Sequence, residues 1–458
     1  MKQQIRTGLY LSLCVIIIIA SMLLNLTNFF GAIIISLISL VCVHFSIKND
    51  YDTFTTLIIF IVTQNIMLII FSNFINKTTF NILILTKELF VGLTIVIGIY
   101  YKKLKKLLPG DYIAIAFIVV LGIYALISNQ NLQTRLVNFR QLSVPFLLYG
   151  FGRVIGYNKE KLFKVYNIIL IIGTVLFIFG LIEYLSGDAF WVSLGIKNFT
   201  ALKGFEKWSN NLGIPKNFYA WDIYELTKIL PRRMVSLLAE PISLGYYFNL
   251  CLIILLYNPK IYTSKKITIV QLIIFLLGTV LTFTKGSFMF VGIIILGYLY
   301  YIKEMKKVTY ITTGIVVFMG TAILLFGRGV TSINNHLKGL MHNFEDITFF
   351  GKGLGYSGNY AKLYSKTKGL GAGESFIGTL AGQIGLLGMI LFLGFFIYLI
   401  YVWIRDGRKS LGLIIVSTFT LVLQAFISES AISFIGTGIY FVLMGIYYNY
   451  SSYNTLEE

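Results

Sequence analysis

GRGVTSINNHLKGLMHNFEDITFFGKGLGYSGNYAKLYSKTKGLGAG, residues 327–373, runs without a break into ESFIGTLAGQIGLLGMILFLGFF, residues 374–396. The first part is polar, basic and rich in glycine. The second is an apolar run of helix length whose first turn carries Glu374. Apolar runs of this kind suit a bilayer: about twenty such residues cross roughly 30 Å of hydrocarbon as a helix. Lipid offers the backbone no hydrogen-bond partner, so the helix satisfies itself. The loop in front of the run is longer than a connection needs to be, and long ordered loops are where function concentrates.

Outward from this stretch the pattern repeats along the whole chain. Of 458 residues 57% are hydrophobic and 12% charged, and the mean hydropathy is +0.81, which excludes an ordinary soluble domain. The expected fold is all-α, a polytopic membrane protein of about fourteen transmembrane helices forming one integral domain over residues 1–458. The apolar runs place the spans at 8–25, 29–46, 53–72, 79–101, 112–128, 142–157, 162–186, 234–257, 267–284, 286–302, 308–326, 374–403, 411–428 and 431–449. Lys2 and Arg6 precede the first run, which is long for a signal peptide and lacks a small-x-small cleavage site, so it reads as an uncleaved span. Cys14, Cys42 and Cys251 fall inside spans without a CxxC spacing, and His44, His336 and His342 show no HExxH spacing. Neither a disulfide framework, a metal site nor a cofactor is expected from them.

The charges orient these spans. With a cytoplasmic start, the inner connections hold twenty lysines and arginines, from Lys2 and Arg6 through Lys102, Lys103, Lys105 and Lys106 to Arg408 and Lys409. The short outer connections hold four, Lys77, Arg135, Arg140 and Lys285. The positive-inside rule then predicts both termini in the cytoplasm and two long extracytoplasmic loops, 187–233 and 327–373. Those loops carry thirteen cations, seven in the first and six in the second, enough to attract an anion presented at the membrane surface, such as a lipid diphosphate or an acidic sugar. Taken singly, each lysine reads first as a solvated surface charge. Phe199, Phe205, Trp208, Phe218, Tyr219, Trp221 and Tyr224 are interleaved with the cations of the first loop. Such rings stack on sugars, and equally fill a loop core or a membrane-interface belt.

Charges inside spans are costly and are candidates for function. Lys87 and Glu88 are adjacent in the fourth span and point in different directions, which favours an ion pair with a neighbouring helix. Glu183, Glu240, Lys285, Glu374 and Glu429 all fall near outer ends of spans, where they are expected to converge on one outward-facing cavity.

Three segments resemble those of the O-antigen polymerase and ligase superfamily, whose polymerases are of the Wzy type. PRRMVSLLAEPISLGYYFNL, residues 231–250, resembles its R-x-x-[GS]-x-x-x-[NDE]-P segment through Arg233, Ser236, Glu240 and Pro241. LTFTKGSFMF, residues 281–290, resembles T-x-S-R-G with Lys285 in place of arginine, and FFGKGLGYSG followed by GESFIGTLAGQIGLLG resembles the G-x-G-x-G region and the late helix after it. Glu374 stands where the ligases place a histidine, and Lys285 gives up the bidentate phosphate geometry of arginine. Arg328 and Gly339 fit an R-x10-G spacing of outer polymerase loops.

The resemblance implies a GT-C-like membrane glycosyltransferase of a bacterial cytoplasmic membrane, needing no nucleotide or other cofactor. It would join undecaprenyl-diphosphate-linked oligosaccharides into a capsular, O-antigen or other envelope polysaccharide. Arg233, Lys285, Arg328, Arg232 and Arg140 would hold the diphosphate, and Glu374, or next Glu240, would take the proton of the attacking hydroxyl. Membrane lipids and a chain-length regulator are the partners this implies; nucleic acid is not among them. An O-antigen-ligase-like transferase and, from a different class, a lipid-linked oligosaccharide flippase are the alternative readings. A flippase would place its cations along a central cavity rather than in large outer loops.

Overall fold

The computed structural model describes residues 50–101, 104, 106–258, 261–262, 264–314, 340–341, 343–345, 347–359 and 375–454. The expected spans 8–25 and 29–46, most of 308–326, and both Arg328 and Glu374 lie outside the described residues. Within them the fold is all-helical and has no strand. The helices are α1 (Asp50–Ile70), α2 (Lys77–Tyr100), α3 (Pro109–Ile127), α4 (Leu132–Ile155), α5 (Lys159–Ser186), α6 (Asp188–Ser193), α7 (Ile196–Lys203), α8 (Trp221–Thr227), α9 (Pro241–Tyr257), α10 (Lys265–Leu281), α11 (Lys285–Tyr301), α12 (Phe376–Asp406), α13 (Gly412–Ile427) and α14 (Gly438–Asn454). Six of these, α1, α2, α3, α5, α12 and α13 with the turn before it, are long and apolar enough to cross a membrane, and α9 and α11 are shorter apolar helices.

Local signals set several starts. Asn76, Asn131 and Asn158 cap α2, α4 and α5 by accepting from the Thr79, Thr134 and Lys161 N–H groups at 2.9, 2.8 and 3.0 Å. The Asn131 cap explains one departure from the sequence reading: α4 begins at Leu132, ten residues before the expected 142. Arg140, expected in a short connection, is therefore carried inside the helix. A second departure is α9, which begins at Pro241 rather than 234, because residues 234–240 are held extended and in a 3-10 turn with Ala239 in the left-handed region.

The connections gather at two ends of the bundle. At one end Ser72 Oγ donates to Gly195 O (3.0 Å), Ser128 Oγ to Leu354 O (2.9 Å), Met234 N to Leu281 O (2.9 Å) and Asn359 N to Glu429 Oε2 (3.0 Å). At the other, Tyr51 OH donates to Asn158 O (3.1 Å), Arg153 to Lys106 O (3.2 Å) and Arg408 to Tyr450 O (3.2 Å). The two long stretches of interest, 187–240 and 347–359, share the first end, called here the loop end.

One apolar cluster runs through the bundle, including Phe117, Phe146, Phe392, Phe395 and Phe441. Helix α4 lies tightly against α14: a Cβ on Gly152 would sit 2.0 Å from Val442 O, and one on Gly445 would sit 2.2 Å from Tyr149 O. Only glycines permit so close a crossing, the usual device of helices packing in lipid. The 187–240 stretch is not a bare loop. Trp191, Ile196, Phe199, Ile214, Phe218 and Val235 form a second core with Ile66, Ile69, Phe80 and Leu83 of α1 and α2. Of the interleaved rings, Phe199 and Phe218 are thus loop core, while Trp208, Trp221 and Tyr224 are exposed.

Helix α12 is broken at Gly385, whose φ of 72° is left-handed. The freed backbone groups pair with the glycine-rich segment: Lys352 N donates to Gly382 O (3.0 Å), Gly353 N to Gln383 O (2.9 Å), and Leu386 and Leu387 N to Thr348 and Phe349 O (3.2 and 3.1 Å). A Cβ on Gly385 would lie 2.3 Å from Gly351 N. The glycine-rich segment thus satisfies backbone groups on both sides of the break at Gly385.

Candidate functional site

The site begins with two charged residues that lipid would not accept. On α2, Lys87 is buried and Glu88 nearly so. Lys87 Nζ donates to Gln64 Oε1 (2.5 Å) and Ile84 O (3.2 Å), and Gln64 is itself fixed by donating to Leu83 O at 2.7 Å. Glu88 Oε1 lies 3.7 Å from Lys87 Nζ and 3.6 Å from Arg140 Nε on α4. The ion pair to a neighbouring helix that the sequence suggested is therefore present, and Lys87 joins it. Arg140 is about one-third exposed, with a side-chain value of 34%. Among the described residues its ion pair is this long contact through Nε, so its terminal nitrogens remain to bind something else.

Lys203, the last residue of α7, enters the same neighbourhood from the folded loop. Its ammonium lies over the rings of Phe205 and Phe199, 4.9 and 5.3 Å from their centroids. Desolvation holds Lys203 below its ordinary pKa of 10.5; Glu240 nearby pulls it up and Arg140 pushes it further down. Glu240, at the start of α9, accepts from Ser243 Oγ at 2.5 Å. Three stretches far apart in sequence, around 87–88, 140 and 203–240, thus bring together three cations and two carboxylates between the loop end and the middle of the bundle. Glu88 and Glu240 offset part of this positive charge, and Arg140 and Lys203 lie close enough to repel each other.

One residue beyond Arg140, Gln141 donates to Glu429 Oε1 at 3.1 Å, and the other Glu429 oxygen accepts from Asn359 N. Nearer the start of α4, Asn138 accepts from Gln383 Nε2 at 2.8 Å; the same nitrogen donates to Ser357 O (2.6 Å), and Gln383 Oε1 accepts from Gly355 N (3.1 Å). The broken helix and the glycine-rich segment are thus locked onto α4 within a turn of Arg140, through Asn138 and Gln141. Pro145 removes the N–H that would have bonded to the Gln141 carbonyl, loosening the helix at this point.

The remaining sequence candidates divide. Arg232 is committed elsewhere: its guanidinium contacts Glu183 Oε1 at 2.6 Å and Asp188 Oδ1 at 3.1 Å. Glu183 is fully buried, also accepts from Trp191 Nε1 (2.7 Å) and the Val235 N–H (3.2 Å), and so pins the loop instead of converging on the cavity. Arg233 is half-buried on the same returning segment, its N–H donating to Phe218 O at 2.8 Å. Lys285 is exposed at the first turn of α11, set beside α9 by Thr284 Oγ1 donating to Pro241 O at 3.4 Å. Lys87, Glu88 and Lys203 are the members the sequence reading did not assign to the site. Lys87 and Glu88 are visible as charges inside a span, whereas nothing local sets Lys203 apart from the other loop lysines.

Among the described residues no group of three or more His, Cys, Asp or Glu is placed to hold a metal ion. No protein-family model and no curated protein matches the sequence. Fold and site together define an all-helical chain whose apolar helices suit a multi-pass membrane protein, with a partly buried cationic cluster where its loops meet the bundle.

Proposed function

We propose that this protein is a polysaccharide polymerase of the bacterial cytoplasmic membrane, transferring glycan from undecaprenyl diphosphate onto another lipid-linked repeat unit. In this reading about fourteen helices span the membrane, both termini are cytoplasmic and the loop end faces outward. The observation that carries it is the meeting of Arg140 and Lys203 beside Glu240 and Glu88, on α4, the folded loop, α9 and α2. A lipid diphosphate offers these cations a further, doubly charged anion beyond Glu88 and Glu240, while its isoprenoid tail stays in lipid.

The chemistry follows from the parts. The attacking hydroxyl oxygen bonds to the anomeric carbon of the donor sugar as the bond from that carbon to the diphosphate oxygen breaks. Polyprenyl diphosphate leaves with the electron pair, its growing charge stabilised by Arg140 and Lys203, with Arg233, Lys285 and Arg328 as further candidate cations. The hydroxyl proton passes to a carboxylate, Glu240 or Glu374. Arg232 serves the scaffold.

A flippase is the second reading, favoured by one observation: Lys87, Glu88 and Arg140 lie within helices, with Glu88 about 16 Å along α2 from its start. Lipid-linked and exported glycan from cells lacking the protein, complemented with wild type, Arg140→Ala or Lys203→Ala, separates the readings. The proposal expects single repeat units on the outer face and a ladder restored only by wild type. Single units trapped facing the cytoplasm would establish the flippase instead, and long unattached polymer a ligase.

A further inference from the structure

We propose that Glu88 is a substrate-contacting residue. Its free carboxylate oxygen accepts a hydrogen bond from a hydroxyl of the sugar joined to the diphosphate that Arg140 and Lys203 hold. This rests on the diphosphate reading and adds a sugar subsite to it. Glu88 Oε2 is buried and has no hydrogen-bond partner. Oε1 fares little better, since its contacts to Lys87 and Arg140, at 3.7 and 3.6 Å, are ionic and too long for hydrogen bonds. Charge is thus compensated while hydrogen-bonding capacity is not, an arrangement that is costly in a low-dielectric interior and is kept where a ligand completes it.

Among the described residues, Gln64 has no amide hydrogen left to give Glu88. It spends its amide hydrogens on Leu83 O and Ile84 O, and its oxygen on Lys87. Lys87 spends hydrogens on Gln64 and Ile84 O and lies against the Phe434 ring at 5.3 Å. Arg140, the one-third exposed member of the trio, joins this carboxylate to the anion site. A sugar bonded directly to the diphosphate carries hydroxyls a few ångströms from the phosphates, a spacing that bridges the two. A carboxylate prefers such a hydroxyl because it accepts only, and the charge-assisted bond is roughly twice as strong as a neutral one.

The test uses the full chain in lipid nanodiscs and two probes, farnesyl diphosphate and farnesyl-diphospho-N-acetylglucosamine. Wild type is expected to bind the sugar-bearing probe about tenfold more tightly. Glu88→Gln is expected to cut that preference at least fivefold, while Arg140→Ala weakens binding of both probes. Should Glu88→Gln fail to fold because Lys87 is left alone, the Lys87→Met/Glu88→Gln double variant removes both charges and carries the same expectation. A preference surviving in these variants overturns the proposal. Equal weakening of both probes also overturns it, making Glu88 a support for Arg140 only. Wild type binding both probes alike removes the sugar contact, whereas wild type binding neither removes the diphosphate reading itself.

Discussion

Arg140 and Arg232 show how differently two arginines at one end of a bundle are used. Arg232 closes a buried network with Glu183, so Arg232→Ala strands a carboxylate that is wholly inaccessible. A loss of about 3–5 kcal/mol is expected, read as a fall in thermal stability or in the yield of folded protein. Arg140→Ala leaves Glu88 with Lys87 and is expected to cost at least tenfold in diphosphate affinity, with a smaller effect on stability. Equal stability losses in the two variants would contradict this division. Lys203 adds a pH signature. Burial lowers its pKa, so in the ligand-free fold the proton leaves below pH 10.5, and between the depressed value and 10.5 the unfolded chain binds more protons. Stability therefore rises with pH through that window, while diphosphate affinity falls as the ammonium is lost. Binding titrations at increasing pH are expected to show this loss in wild type, and its displacement to higher pH in Lys203→Arg.

At the scale of the element, the clasp between the glycine-rich segment and the break in α12 fixes the loop end. Gly385→Ala meets a positive φ and a Cβ placed 2.3 Å from backbone, so both routes of relief require the segments to part. The expected cost is at least about 1–3 kcal/mol, measured by denaturation in detergent, together with loss of glycan ladder. A fully active and stable Gly385→Ala protein would refute the clasp. The sequence disclosed the parts of this element but not the joint. G-K-G-L-G and the apolar run from 374 are both plain to read, yet the break is decided by a partner thirty-four residues earlier, and no local pattern announces it. The same holds for α4. Its apolar periodicity begins near 142, whereas the Asn131 cap, a local signal open to sequence reading, starts it at Leu132 and lifts Arg140 into the bundle. Apolar runs were legible because burial in lipid imposes them residue by residue. The company of Lys203 was not, because the fold of 187–240 over α1 and α2 selects one lysine among several by tertiary packing.

For the whole molecule, the proposed topology puts the two loop stretches on one side of a membrane and the connections around Lys303 and Arg408 on the other. Single cysteines at Lys207 and Lys303, both exposed, are expected to react with an impermeant thiol reagent from opposite faces of intact cells, Lys207→Cys from outside. Labelling of both from one face would break the topology. The central claim is that the cationic site joins lipid-linked glycans. Its most direct test is to reconstitute the purified protein with single lipid-linked repeat units, without nucleotide, and to follow glycan length and free polyprenyl diphosphate together. A polymerase yields longer lipid-linked chains with one diphosphate lipid released per bond formed, and both are expected to be abolished in the Arg140→Ala/Lys203→Ala variant. Units that stay single, with no diphosphate lipid released, would contradict the claim.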